Sequence, residues 1–141
     1  MTPSYIVIIG CGRLGGLLAN QLSSAGHSVV VVDHSEAAFD KLTAEFSGFR
    51  IHADAAEMAT LRAAKVDQAD CVLATTDKDN INLMVAQIAR TTFAVPTVIA
   101  RIYDPNYEAL YRTLGIEIIS PTQLSAEAFI RAVASLRERP V

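Results

Sequence analysis

Short β-branched runs alternate along this chain with stretches whose apolar residues recur at helical spacing, the sequence form of a βαβ series around a parallel sheet. Tyr5 to Ile9 predicts a first strand. Arg13 to Ala25 predicts a helix whose Leu14, Leu17, Leu18 and Leu22 fall at i, i+3, i+4 and i+8, with Gly26 closing it. The same rhythm predicts strands at Ser28 to Val32, Arg50 to His52, Cys71 to Ala74, Thr97 to Ala100 and Glu117 to Ile119. Helices are expected between them at Glu36 to Phe46, Met58 to Ala64, Asp79 to Thr91 and Asn106 to Leu114. Right-handed crossovers then imply a doubly wound α/β fold, a six-stranded parallel sheet with helices on both faces and its ligand edge at the carboxyl ends of the strands.

The 141 residues suffice for one domain, since a chain of this size buries about two-thirds of its unfolded surface. We expect a core over residues 1–120 and a trailing helix within 121–141, started by Pro121, running to about Leu136 and stopped by Pro140. No linker or low-complexity segment divides the chain. Twelve Lys and Arg against fifteen Asp and Glu leave a net charge of −3 with no run of like charges, which argues against a nucleic-acid or anionic-membrane coat. The start carries no basic leader pattern, and the apolar stretch Ile81 to Ala100 is broken by Asn82, Gln87, Arg90 and Pro96. Neither export nor membrane insertion is expected. Two cysteines, Cys11 and Cys71, fit a reducing cytoplasm and lie too far apart along neighbouring strands to bridge.

The strongest local signal is Gly10-Cys11-Gly12-Arg13-Leu14-Gly15, because it falls directly between a strand and a helix, the setting of a Rossmann-like phosphate loop. Gly10 suits the tight turn, Gly12 a close approach of phosphate to backbone, and Gly15 close packing of helix on strand. Asp33 ends the second strand eighteen residues after Gly15, where a carboxylate accepts both ribose hydroxyls of an adenosine. His34 and Ser35 follow, with no Arg or Lys there to meet a 2′-phosphate, so NADP is disfavoured. These elements read only the adenosine and its first phosphates, and leave NAD(H), ATP, ADP and AMP open.

Further segments carry a more particular likeness: Ile8-Ile9-Gly10-Cys11-Gly12-Arg13-Leu14-Gly15, Val31-Val32-Asp33, Ala53-Asp54-Ala55, Ala74-Thr75-Thr76-Asp77-Lys78-Asp79-Asn80-Ile81-Asn82, Ile99-Ala100-Arg101 and Leu114-Gly115-Ile116-Glu117-Ile118-Ile119-Ser120-Pro121. In this order they resemble the KTN or RCK (TrkA-N) nucleotide-binding domain of the regulatory subunits of Trk and Ktr potassium uptake. The resemblance implies a cytoplasmic homodimer or larger ring, peripheral to the inner membrane. It would bind an adenine nucleotide or NAD(H) and gate a membrane potassium channel or transporter, without chemistry of its own. It also implies that Asp33 and His34 border the ribose, that Asp54 and Ala55 lie beside the adenine or ribose, that Thr75, Thr76 and Asp77 close over the ligand, and that Arg101 reaches the phosphates. Arg13 is offered for a phosphate, and Glu117 for a cation or a partner subunit. The family's Gly-Asp after the third strand is Ala53-Asp54 here, and its small carboxy-terminal ligand domain has no counterpart in these residues.

Plainer roles compete at each position. Arg101 suits a surface ion pair with Asp104, Thr75 and Thr76 suit capping of the helix from Asp79, Asp54 suits capping of the helix before the fourth strand, and Glu117 faces the opposite sheet edge. Cys11 and Cys71 suit structural, buried roles, with a redox-sensitive Cys11 thiol at the helix N-terminus as the lesser alternative. The rival class is a small NAD-dependent oxidoreductase, or a nucleotide sensor unrelated to potassium. None of Lys41, Lys65 and Lys78 lies four residues after a Tyr, and no Gly-x-Ser-x-Gly elbow or His-Glu-x-x-His helix occurs. His27, His34 and His52 have no metal-ligand spacing. The apolar helices at Asp79 to Thr91 and after Pro121 are expected to dock on a second copy.

Overall fold

The computed structural model describes residues 2–138. Among them, β1 (Tyr5–Ile9), β2 (Ser28–Asp33), β3 (Phe49–His52), β4 (Cys71–Ala74), β5 (Thr97–Arg101) and β6 (Glu117–Ile119) form one sheet in the order β3-β2-β1-β4-β5-β6. Every pairing is parallel. The α-helices are α1 (Arg13–Ser24), α2 (Met58–Ala63), α3 (Asp79–Gln87), α4 (Glu108–Arg112) and α5 (Pro121–Ala134). The strand order reverses between β1 and β4, so the chain leaves β1 toward one side and β4 toward the other. The loops between open a crevice there.

The sheet is a doubly wound Rossmann-like α/β layer, as the apolar pattern predicts. Alternate residues of β1 and β2 feed two cores. Val7, Ile9, Val30 and Val32 pack with α2 and α3 on one face, and Ile6, Ile8, Val29 and Val31 with α1 and Phe39 on the other. Burial of each such side chain contributes about 1.5–3 kcal/mol, which is why the central strands read as continuous hydrophobic runs.

Four expectations change. The helix expected at Glu36 to Phe46 is a 3₁₀ segment, Glu36–Lys41, followed by extended chain at Leu42. Asn20 of α1 stops it, donating its amide to the Lys41 carbonyl at 3.0 Å and accepting from Thr43 N at 3.0 Å. On α1 the buried stripe is Gly15, Gly16, Ala19 and Ser23, and Leu17 is 53% exposed. Leu18 and Leu22 pack against the core of this face, while Gly15 and Gly16 sit where a Cβ would crowd the Gly10 carbonyl and Lys41.

The long helix after Asp79 divides into α3 and a π turn, Ile88–Thr92. The Thr91 hydroxyl donates to the Gln87 carbonyl at 2.7 Å and competes with the regular ladder there. Of the apolar residues of α3, Leu83, Val85 and Ala86 are buried in the chain's own core, and Ile81 and Met84 are partly buried against it. The segment after Asp104 likewise divides, into a 3₁₀ turn (Pro105–Tyr107) and α4.

Helix α5 behaves differently. Ser120 caps it, accepting from Gln123 N at 3.2 Å, and Pro121 opens it, as predicted. Yet none of its described residues is buried. The expected stop at Pro140 lies outside the described residues.

Candidate functional site

At the carboxyl ends of β1, β2, β4 and β5 lies a cleft of about 860 Å³, within the range of cofactor sites. The glycine loop shapes one wall. Gly10 has φ +103°, a left-handed backbone that glycine adopts without strain, and its N–H donates to the Val32 carbonyl at 2.7 Å. A Cβ on Gly15 would stand 1.7 Å from the Gly10 carbonyl oxygen, so only glycine lets α1 start this close to the turn. A Cβ on Gly12 would meet no atom within 4 Å. That glycine is not required by packing, and its Cα borders the cleft.

Gly12 is also the N-cap of α1, which carries neither a side-chain cap nor an acidic residue in its first turn. Its leading N–H groups lack intrahelical partners, and the helix dipole adds positive potential there. An anionic group fits this end, with exposed Arg13 lining the same wall. Leu14 and Gly15 do not line the cleft; they shape the turn and the start of the helix.

Asp33 stands at the end of β2 with its side chain 12% exposed. One carboxylate oxygen accepts from Cys11 N at 2.7 Å and the other from Ser35 N at 2.8 Å. These bonds fix the carboxylate against the glycine loop and leave lone pairs for further donors. His34 lies beside it, with Nδ1 at 3.5 Å and the side chain 83% exposed. Asp54 and Ala55 line the same end of the cleft. Asp54 does not cap α2: it accepts from Ala56 N at 2.8 Å, and the N-cap position belongs to Glu57.

The opposite wall is more tightly built than the sequence suggests. Thr75 is buried, and its hydroxyl lies 3.1 Å from both the Ile9 and Gly10 carbonyls, tying β4 to the glycine loop. Thr76 donates its hydroxyl to Asn82 Oδ1 at 2.6 Å and accepts from Lys78 N at 3.2 Å. Neither threonine caps α3, whose N-cap is Lys78. Asp77 is exposed and borders the cleft. Arg101 makes no ion pair with Asp104. Its Nη2 donates to the Thr75 and Thr76 carbonyls at 2.8 Å each, and its guanidinium lies 5.4 Å from the Tyr103 ring centroid. Its Nε is buried without a hydrogen-bond partner among the described residues.

Two residues without an assigned role in the sequence reading organise this wall. Asn82 is fully buried on α3 and bonds both Thr76 and Arg101. Tyr103, 45% exposed, borders the cleft beside Arg101. Each was recoverable only as an unusual residue type: a polar amide within an apolar helix, and an aromatic just past a strand end.

Other expectations fall away from the cleft. Glu117 begins β6 at the opposite sheet edge, where burial first, then Asp70 and Glu117, push the Cys71 thiol up to about 11. Cys11 is buried, and burial and Asp33 raise its thiol more than Lys41 lowers it, in keeping with the structural role expected of it. Both cysteines are free. Among the described residues no cluster of His, Cys, Asp or Glu suits a metal, and no helix is long and apolar enough to cross a membrane. A second cavity of about 790 Å³ lies at the amino ends of β1 to β3, lined by residues including Tyr5, His27, Phe49 and Lys65, and holds none of the motif residues.

Fold and cleft together define a Rossmann-type α/β domain with a glycine loop at its switch point. More particularly, the chain belongs to the TrkA-N domain family, whose model it matches over residues 6–121. It is 36% identical over 137 residues to the Trk system potassium uptake protein TrkA of Streptomyces coelicolor, covering 97% of this chain and 61% of that relative. It thus spans about three-fifths of the length of that curated relative. The TrkA-N domain of the Escherichia coli inner membrane protein YbaL superposes with a TM-score of 0.81 at 20% identity, over 93% of this chain and 97% of that one. The Kef C-terminal domain of Shewanella denitrificans in its AMP-bound form does so with 0.77 at 25% identity, over 94% and 81%.

Proposed function

We propose that this cleft binds an adenine nucleotide or NAD(H), and that the domain acts without chemistry as a regulatory module, converting occupancy into a shape change in a membrane potassium channel or transporter. The observation that carries the binding is the pairing of two features across one cleft. An uncapped α1 N-terminus with an open Gly12 accepts phosphate. The prepositioned Asp33 carboxylate accepts ribose hydroxyls. Asp33 also disfavours a 2′-phosphate, since two anions would meet there. The potassium reading is supported by the Trk uptake protein to which the chain is 36% identical, and the ligand class by the AMP-bound Kef domain.

The module works as a homodimer or larger ring at the cytoplasmic face of the membrane, held there by its partner. Support for self-association lies in α5, where Phe129, Ile130 and Val133 are 72%, 69% and 59% exposed. On the α1 face of the sheet, Ile119 of β6 is also exposed, at 38%.

Calorimetric titration with ATP, ADP, AMP, NAD, NADH and NADPH tests the binding, with Asp33→Ala as control. Micromolar binding of an unmodified nucleotide, lost in the variant, is the expected result. No binding by the wild type refutes the reading, and consumption of NADH with a carbonyl substrate would make the protein an oxidoreductase instead.

A further inference from the structure

Asn82 is the one fully buried polar side chain of the described residues, and all of its hydrogen-bonding capacity is spent on the far wall of the cleft. Its Oδ1 accepts from Thr76 N at 2.9 Å and from the Thr76 hydroxyl at 2.6 Å. Its Nδ2 donates to the Thr76 carbonyl at 3.0 Å and to the Arg101 carbonyl at 2.8 Å. The amide orientation follows from chemistry, because a main-chain N–H can only donate and the two carbonyls can only accept.

One helical turn thereby holds the ends of two strands. Asp79, three residues earlier on the same face of α3, accepts from Tyr103 N and Asp104 N at 2.9 Å each. Arg101 closes the arrangement from the other side through its two bonds to the Thr75 and Thr76 carbonyls. The Thr76 carbonyl is shared between Asn82 and Arg101, so one of the two bonds that hold the guanidinium depends on the orientation of the Thr76 peptide.

We propose that Asn82 is the positioning residue that sets which adenine nucleotide the cleft takes. By fixing the Thr76 peptide and Arg101 as one body, it builds the part of the site that meets the ligand beyond its first phosphate, whereas Asp33 and Asp54 meet the nucleoside. This inference rests on the adenine-nucleotide reading above. Removing Asn82 takes the buried donor from the Arg101 carbonyl and one of two donors from the Thr76 carbonyl, and with its Oδ1 gone the Thr76 N–H is unheld, so the peptide is freer to turn. Arg101 then rests on its bond to the Thr75 carbonyl with a looser second anchor, and selectivity for diphosphate-bearing ligands over adenosine falls.

The test compares adenosine, ADP and NAD by calorimetry on the wild type, Asn82→Ala, Thr76→Val and Val85→Ala. The last removes core volume from the same helix. Asn82→Ala is expected to weaken ADP and NAD by about tenfold or more and adenosine by less than about threefold, since loss of aligned hydrogen-bonding groups acts only on the ligand part that meets them. Thr76→Val, which removes one of the four bonds and spares α3, shifts the ratio in the same direction by less and decides the matter if Asn82→Ala does not fold. Val85→Ala lowers the melting temperature and leaves the ratio unchanged. Equal weakening of all three ligands by the Asn82 and Val85 variants, or an unchanged ratio in both cleft variants, overturns the inference. A wild type that binds neither adenosine nor ADP overturns the nucleotide reading itself.

Discussion

Gly12 and Gly15 belong to one motif, and the structure predicts opposite consequences for replacing them with alanine. In Gly15→Ala the new Cβ stands 1.7 Å from the Gly10 carbonyl oxygen, where real Cβ contacts keep beyond 3.0 Å. Helix and turn must therefore separate by more than an ångström, and the Thr75 hydroxyl, bonded to the same Gly10 carbonyl, stands 2.9 Å from the new Cβ as well. Overpacking of this kind costs about 1–3 kcal/mol and occasionally more. The better helix propensity of alanine returns about 1 kcal/mol. With backbone on both sides of the clash the cost falls at the upper end, for a net loss of about 2 kcal/mol, or about 6–8 °C in melting temperature for a chain of this length.

Gly12→Ala meets no atom within 4 Å, and Gly12 has φ −77°, so its stability stays within about 0.5 kcal/mol of wild type. Its Cβ nevertheless enters the space a phosphate needs at the helix N-terminus, and ADP affinity falls about tenfold, the equivalent of about 1.4 kcal/mol. Urea denaturation and calorimetry on the two variants separate the effects. A stable Gly15→Ala protein, or a Gly12→Ala protein that loses stability and keeps its affinity, refutes the assignment of packing to one glycine and ligand approach to the other.

Further outcomes are expected elsewhere in the molecule. Ala94 has φ +53°, so Ala94→Gly relieves left-handed strain and raises unfolding free energy by about 0.5 kcal/mol after the entropic cost of glycine, measurable by urea titration. The Cys71 thiol is raised from 9.0 to about 11, so its stabilising contribution is present below pH 9 and fades as pH rises toward 11; Cys71→Ser flattens that decline in a pH series of melts. Because α5 buries none of its described residues, deleting residues 121–141 leaves the unfolding free energy of the remaining domain nearly unchanged and shifts sedimentation to the monomer. A large loss of monomer stability would place α5 in the core of its own chain.

The alternation of strands and helices was legible because its causes are local. β1, β4 and β6 begin and end where the apolar runs do, and the glycine spacing placed the turn after β1. Asp33 was legible for the same reason, as an acidic residue at a fixed remove from that turn. What misled was competition from distant groups. The helix predicted over Glu36 to Phe46 gave way because Asn20, on another element, takes its backbone partners. The leucine stripe on α1 held for Leu18 and Leu22 but not for exposed Leu17, and it missed Gly15 and Gly16, because sequence periodicity cannot register how near a backbone approaches.

The sequence by itself therefore determined the fold class, the sheet edge that carries the cleft, and the places of the glycine loop and Asp33 on it, all of which follow from short-range patterns of side-chain size and backbone freedom. Only the tertiary structure decided how the far wall is held. That Arg101 binds two carbonyls rather than Asp104, and that Asn82 ties Thr76 to Arg101, depends on β4, β5 and α3 meeting across nineteen and more residues of chain. Buried polar groups must find partners wherever packing brings them, and that accounting is three-dimensional.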